Sequence, residues 1–370
     1  MRAVSRLALL VSLGTLGLLV LAIEGGLRIF GYHPLAALEQ GRGRILRASS
    51  HPDLAYDLSP STQAFFRGSD VRVNSFGFRG REIERRKPAG VRRLIVIGDS
   101  IAFGDGLAAE DVFANRLEEL ARARGEALEV LNLGVGGYDV LEAVAFLEHV
   151  GLDLQPDIVV LGFCINDVGV QSFNLPFVEA LKGYGAWTRR SRLLQLLTVR
   201  IDTAKAGREY AALNREDVFR RRNAEWIAPL GADDGIRADM ERMKSLLAES
   251  PVSFPYLEWY TSEARIGKLR YSFERLARDA REAGFEAVVV VIPYLNEKGH
   301  PAGFRLAYEM VRSEAERAGL RTVDVLEDFL GAGLEELSRY PGGVLDPLHP
   351  NPEGHALIAA RLHAELLEER

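Results

Sequence analysis

The apolar positions of this chain fall into short runs separated by longer amphipathic stretches. Leu94 to Ile97 is a brief, mostly β-branched run of the kind that predicts a strand buried on both faces, and Leu128 to Leu133, Asp157 to Phe163, Ala287 to Ile292 and Thr322 to Val325 predict four further strands. Between them, Ala114 to Arg124 and Val140 to Val150 carry apolar residues near a 3.6 period and predict helices. A terminal helix is punctuated by Asn351 as N-cap and Pro352 as first helical residue, ahead of a stripe through Leu357, Ile358, Leu362 and Leu366. Strands alternating with helices predict an α/β protein with a mostly parallel five-stranded sheet and helices on both faces.

The flanks of this rhythm read differently. Arg2 and Arg6 precede an apolar run from Leu7 to Ile23 that ends at Glu24. It is at the short end for a bilayer span, and the basic residues before it place the amino terminus in the cytoplasm and the rest of the chain outside. A cleaved signal peptide is the competing reading, with Val20 and Ala22 at the small-residue positions before a cut. The helix-compatible pattern continues through Ile23 to Phe30, which favours an uncleaved, single-pass membrane anchor over residues 1–30.

Residues 31–90 read as an extended connector packing partly on the main domain. Within it, Val71 to Gly80 alternates apolar and polar residues and predicts a strand or hairpin arm, expected to be solvated. The main domain spans 91–370 and is interrupted at 170–266 by a helical insertion too long for one crossover, a candidate lid or substrate wall. Its aromatic group, Phe254, Tyr256, Trp259 and Tyr260, is expected to form a small core of its own. Arg189, Arg190, Arg192, Arg220, Arg221 and Arg222 are expected to form a solvated face.

Composition mainly excludes. With 370 residues, 47% of them hydrophobic, the chain can build one sizeable core plus an insertion. A net charge of −6 without long single-sign runs gives no footprint for a nucleic-acid partner. A single cysteine, Cys164, rules out an intramolecular disulfide and a cysteine-based zinc site. His349 and His355 are six apart and no His-Glu-x-x-His occurs, so no metal is expected. Gly134-Val135-Gly136-Gly137 lacks the last glycine of a dinucleotide fingerprint, and no cofactor is expected. The absence of a Gly-x-Ser-x-Gly elbow argues against the α/β-hydrolase fold.

Four places carry candidate chemistry. Gly98-Asp99-Ser100 ends the first strand of the sheet, at the edge where open α/β sheets hold their ligands. Asp346-Pro347-Leu348-His349 puts an aspartate three residues before a histidine in a tight loop, able to reach one ring nitrogen and leave the other for a serine. Asn132 to Gly137 offers a glycine turn whose amides can approach a ligand, and Asn166, after the third strand, offers a side-chain donor. Taken singly, these are a turn, a structural hydrogen bond, another turn and a helix cap. Together they converge on one edge of the sheet.

In this combination the sequence resembles the SGNH, or GDSL, hydrolases. Gly98-Asp99-Ser100 looks like that family's first block, Gly137 its second-block glycine, Asn166 its third-block asparagine, and Asp346 with His349 its Asp-x-x-His. The resemblance covers roughly Val91 to Val168 and Ala287 to Glu368. It implies a flavodoxin-like three-layer sandwich with strand order 2-1-3-4-5 and metal-independent ester hydrolysis. It also implies Ser100 as nucleophile, His349 as base, Asp346 as its partner, and an oxyanion hole of the Ser100 amide, the Gly137 amide and the Asn166 side chain. The chain departs from the pattern at Cys164, where the third block usually has glycine; a small buried residue is expected there rather than a second nucleophile. The expected function is a membrane-anchored serine esterase outside the cytoplasm, acting on a small acyl ester, a lipid or an acylated glycan. An O-acyltransferase acting on cell-surface polysaccharide and a non-catalytic, membrane-tethered glycan-binding or assembly protein stand as alternatives.

Overall fold

The computed structural model describes residues 6–35, 42–170, 184–249, 254–340 and 343–368. Two stretches of the expected insertion, 171–183 and 250–253, thus lie outside the described residues. Among the described residues, two short antiparallel ribbons precede the main sheet: β1 (Leu46–Ala48) pairs with β2 (Tyr56–Leu58), and β3 (Thr62–Phe66) with β4 (Ser69–Val73). The main sheet is wholly parallel and comprises β5 (Arg92–Gly98), β6 (Leu128–Asn132), β7 (Ile158–Cys164), β8 (Glu286–Ile292) and β9 (Arg321–Asp324), in the order β6-β5-β7-β8-β9. That is the 2-1-3-4-5 order expected from the sequence, with strand ends displaced by a residue at most places.

The helices are α1 (Arg6–Ile29), α2 (Ser100–Phe103), α3 (Phe113–Ala123), α4 (Val140–Phe146), α5 (Arg192–Leu213), α6 (Asp234–Ala248), α7 (Glu263–Ala283), α8 (Pro301–Arg317) and α9 (Pro352–His363), with shorter turns between them. α3 and α9 pack on each other beside β6; α4, α7 and α8 form the other group, over β5 and β8. The result is a three-layer α/β sandwich. Leu94, Ile95, Val96 and Ile97 of β5 and Val159, Val160 and Leu161 of β7 are fully buried, as central parallel strands require. Asn351 caps α9 as expected, accepting from the amides of Glu353 and Gly354, with Pro352 at the first position.

Three expectations need correction. The helix predicted through Val150 is regular only to Phe146; Leu147 to Gly151 widens into a π turn that seats Gly151 against the Leu147 and Leu133 side chains. The Val71 to Gly80 arm is not solvated: Val71, Val73, Asn74, Phe78 and Arg79 are buried. Its alternation has an inner face, which packs on the main core, and Arg79 donates to the carbonyls of Phe103, Gly104 and Leu107 at 2.7–2.8 Å. Finally, the insertion's aromatics join the main core. Phe254 meets Tyr294 and Phe304 at ring distances of 5.3 and 5.0 Å, and the Tyr260 hydroxyl donates to the Ile165 carbonyl just beyond β7. Arg220, Arg221 and Arg222 do lie on the solvent face.

Two glycines let the sheet edge close tightly enough for a helix to start directly after β5. Gly98 has φ +143°, and a Cβ there would stand 2.5 Å from the Gly162 carbonyl oxygen. A Cβ on Gly134 would stand 2.4 Å from the Phe103 nitrogen. Because that contact is backbone on backbone, we predict that Gly134→Ala lowers stability by about 2–3 kcal/mol, read as a fall in the urea midpoint. Gly207→Ala, in the exposed face of α5 with nothing within 4 Å, is the control and leaves the midpoint level or higher.

Candidate active site

β5 turns sharply at Gly98, Asp99 becomes the N-cap of α2, and Ser100 opens that helix. The Asp99 carboxylate accepts from the Ile101 amide at 2.8 Å, which fixes the first turn. The serine therefore stands at the carboxyl edge of a central strand, 9% exposed. Its hydroxyl lies 2.8 Å from His349 Nε2. On the other side of the ring, His349 Nδ1 lies 2.7 Å from Asp346 Oδ2. With Nδ1–H donating to the carboxylate, Nε2 presents its lone pair to the serine hydroxyl.

The loop holding this pair is braced at both ends. The Leu295 amide donates to the Pro347 carbonyl and the Asp346 amide to Ser338, while the Tyr340 hydroxyl donates to Pro350. The second Asp346 oxygen accepts from the Leu348 and His349 amides at 3.0 and 3.1 Å. Burial would raise the Asp346 carboxyl, but the hydrogen bond and charge of His349 and these two amides outweigh it and hold the pKa at about 2. Burial would lower the His349 imidazolium, yet the Asp346 bond and the charges of Asp105 and Asp346 outweigh that and raise it above its ordinary 6.5. His355, one turn into α9, behaves oppositely. It is sealed from solvent, accepts from the Phe113 amide through Nδ1, and burial pushes it down to about 3.

The remaining expected residues divide. Gly137 lines the same cleft as Ser100 and His349 and takes φ +86° in the turn after β6. The Gly136 carbonyl accepts from the Tyr56 hydroxyl at 3.0 Å, so the trans peptide directs the Gly137 N–H away from Tyr56. Asn132 supports the turn, accepting from Gly134 and donating to the Ala102 carbonyl. Asn166 sits deeper, 5% exposed, with its side chain hydrogen-bonded to Asp99 beside the serine. Cys164 is buried, and burial together with the charges of Asp99 and Asp167 pushes its thiol well up, so it stays protonated and a poor nucleophile. Among the described residues no group of three or more histidines, cysteines, aspartates or glutamates could hold a metal ion.

The cleft over Ser100 has a volume of about 240 Å³. Sequence reasoning offered the insertion as a wall but singled out neither Arg67 nor Asp105. Arg67 reaches in from the β3–β4 turn, Asp105 from the loop after α2, and Tyr210 and Tyr256 from the insertion. Arg67 and Gly68 both have positive φ, a two-residue hairpin turn, and Asp105 stands between Gly104 and Gly106, which also have positive φ. An aspartate flanked by such glycines five residues after the serine is the one local signal that marked this region.

Fold and site together make the protein an ester-bond hydrolase on a three-layer α/β scaffold. More narrowly, it belongs to the GDSL-like lipase/acylhydrolase family, whose model matches residues 96–357, well over half of the chain. Similar solved structures include an acetyl xylan esterase, AlAXEase, at 15% identity, covering 74% of this chain and 100% of that one with a TM-score of 0.39. TesA is 14% identical, with 75% and 99% covered and a TM-score of 0.41. The acetyl xylan esterase Axe2 of Geobacillus stearothermophilus is 17% identical, with 74% and 93% covered and a TM-score of 0.39. No curated protein matches the chain.

The two histidines give a direct check on these electrostatics. NMR of ring-labelled protein should show His349 titrating above 6.5 and His355 remaining neutral down to about pH 3. Asp346→Asn removes the charge that raises His349 and should move its titration downward; an unmoved midpoint would show that the carboxylate does not govern the ring.

Proposed function

We propose that the chain is a serine esterase that hydrolyses carboxylic esters outside the cytoplasm through Ser100, His349 and Asp346. The observation that carries this reading is the unbroken line from Ser100 Oγ through His349 to Asp346, at 2.8 and 2.7 Å, opening on the cleft. Ser100 attacks the ester carbonyl while His349 Nε2 takes its proton and then delivers it to the leaving alcohol. Asp346 orients the ring and stabilises the imidazolium formed on the way. The Ser100 and Gly137 amides and the Asn166 side chain receive the negative charge that develops on the carbonyl oxygen. Water, activated by His349, then cleaves the acyl-enzyme.

The membrane anchor is α1. Its apolar window, Ala8–Ile29, has a mean hydropathy of 2.0 and none of it is buried against the protein. Its uncharged part, Ala8 to Ile23, is sixteen residues that at 1.5 Å each span about 24 Å, the short end for a hydrocarbon core. The end of the helix is tied to the body: the Glu24 carboxylate accepts from the Ser191 hydroxyl and from the Arg192 and Leu193 amides, capping the start of α5. This supports an anchor that stays attached as part of the folded protein.

Turnover of p-nitrophenyl acetate tests the mechanism. Ser100→Ala and His349→Ala should each lose at least about a thousandfold in kcat, and the double variant little more, because the two act as a unit. The base must be neutral to act, and its pKa is raised, so kcat/KM should climb through an acid limb lying above pH 6.5. Turnover surviving in the serine variant, or a limb near pH 5, would refute the assignment. For the anchor, the full-length chain should float with vesicles and resist extraction by high salt, whereas salt-released protein would argue for peripheral association.

A further inference from the structure

One carboxylate in the cleft takes no part in the bond changes above, although its charge bears on His349. Asp105 is 7% exposed and lines the cleft beside Ser100 and His349. One of its oxygens, Oδ2, accepts from Arg67 Nη1 at 2.8 Å. The other, Oδ1, is shut away from bulk solvent and has no hydrogen-bond partner. A buried carboxylate oxygen left without a donor is destabilising, the more so where the group is charged. Retaining one at the mouth of a reaction site makes sense where a ligand supplies the donor.

The position of that oxygen tells which part of a ligand it meets. A Cβ built on Gly136 would lie 3.4 Å from Asp105 Oδ1 and 3.8 Å from Ser100 Cβ, so both atoms lie within 4 Å of one point on the rim of the cleft. Glycine at 136 keeps that point open. Asp105 thus faces the groups next to the scissile ester, on the same side as the serine. Arg67 balances its charge and itself reaches to 3.7 Å from Asp346 Oδ2, so the pair is rigidly placed against the reacting groups. Tyr210 and Tyr256 line the same cleft. A volume of about 240 Å³ is below the roughly 300–1,000 Å³ of drug-sized sites. A hydrocarbon chain entering here would seal Oδ1 with no donor, whereas a neighbouring hydroxyl would satisfy it. Discrimination by a polar group left unpaired is among the strongest a site can exert.

We propose that Asp105, held by Arg67, accepts a hydrogen bond from a hydroxyl adjacent to the ester, and that the preferred substrate is an O-acyl saccharide rather than a long-chain lipid ester. This deepens the esterase reading and rests on it. The group is a specificity determinant and takes no part in the bond changes at Ser100.

The test uses the full-length chain in detergent with three substrates: a mono-O-acetyl methyl glycoside, the same ester with its remaining hydroxyls methylated, and phenyl acetate. Wild-type kcat/KM should favour the hydroxylated glycoside over its methylated form at least tenfold. In Asp105→Leu and in the closer-fitting Asp105→Asn, the ratio of glycoside to phenyl acetate should fall at least tenfold, carried by KM, and the penalty for methylation should shrink. Ratios cancel any effect of the lost charge on His349. Equal losses on all three esters would mean that Asp105 acts through the histidine, and a wild type indifferent to methylation would mean that no hydroxyl is read; either result overturns the proposal. Labelling of Ser100 by a fluorophosphonate probe separates the two levels. A labelled serine with no glycoside preference refutes the substrate assignment alone, while an unlabelled one refutes the esterase reading beneath it.

Discussion

A carboxylate taken largely out of water must have its oxygens satisfied, and Asp346 is the place where the structure meets that demand to most effect. Two backbone amides fill one oxygen and the His349 ring fills the other. The amides belong to the next residues along, so the loop can satisfy its own aspartate only when it is folded around it. Once it is, the histidine has one orientation and one tautomer, and its free nitrogen faces Ser100. The energy that would be lost by burying the charge alone is thereby converted into the direction of a lone pair. The turn after β5 brings the Ser100 hydroxyl to that lone pair, and in the proposed reaction the neighbouring amides receive the charge on the carbonyl it attacks.

That delivery is a packing problem solved with backbone. β5 must end and α2 begin within two residues, close against β7 and against the turn after β6. Gly98 and Gly134 permit approaches that any Cβ would block. Asn132 and Arg79 then fasten the end of α2 and the loop after it through the carbonyls of Ala102, Phe103, Gly104 and Leu107. These carbonyls are orphans of a very short helix, and without donors they would need water in the middle of the core. The buried arginine is therefore structural to the helix that carries Ser100, and its guanidinium, pushed down to about 10 by burial, still carries its charge at neutral pH.

The sheet was legible in the sequence because its signal is local: runs of β-branched residues buried on both faces leave little else for β5, β7 and β8 to be. The line of Ser100, His349 and Asp346 was legible through blocks of short spacing set in order along the chain. What escaped were residues whose environment is made by distant segments. Arg79 reads as one more surface arginine until Phe103, Gly104 and Leu107 fold over it. The alternation of Val71 and Val73 correctly marks an inner face, but the sequence does not say that a partner covers it. Asp105 looks like an ordinary loop aspartate, and its missing partner becomes visible only when Arg67 and Gly136 stand on either side. The insertion's aromatics were assigned to a core of their own because sequence distance hides their contact with Tyr294 and Phe304.

The segment before the family match, which begins at residue 96, thus does more than connect. Tyr56 binds the Gly136 carbonyl, and Tyr138 in turn binds the Tyr56 carbonyl, so the peptide that presents the Gly137 amide is clamped from outside the sheet. Arg67 enters the cleft from a hairpin tip whose positive φ is uncommon for a residue with a side chain, a conformation tolerated where surrounding contacts hold it. Those contacts are Asp105 and Asp346, one on the substrate side and one behind the histidine. A chain that keeps the core scaffold and changes this preceding segment would retain Ser100 and His349 while altering one wall of the cleft. The wall of the cleft is therefore assembled from both stretches of the sequence, Arg67 from the preceding segment and Asp105 from the matched domain, and they join in one ion pair.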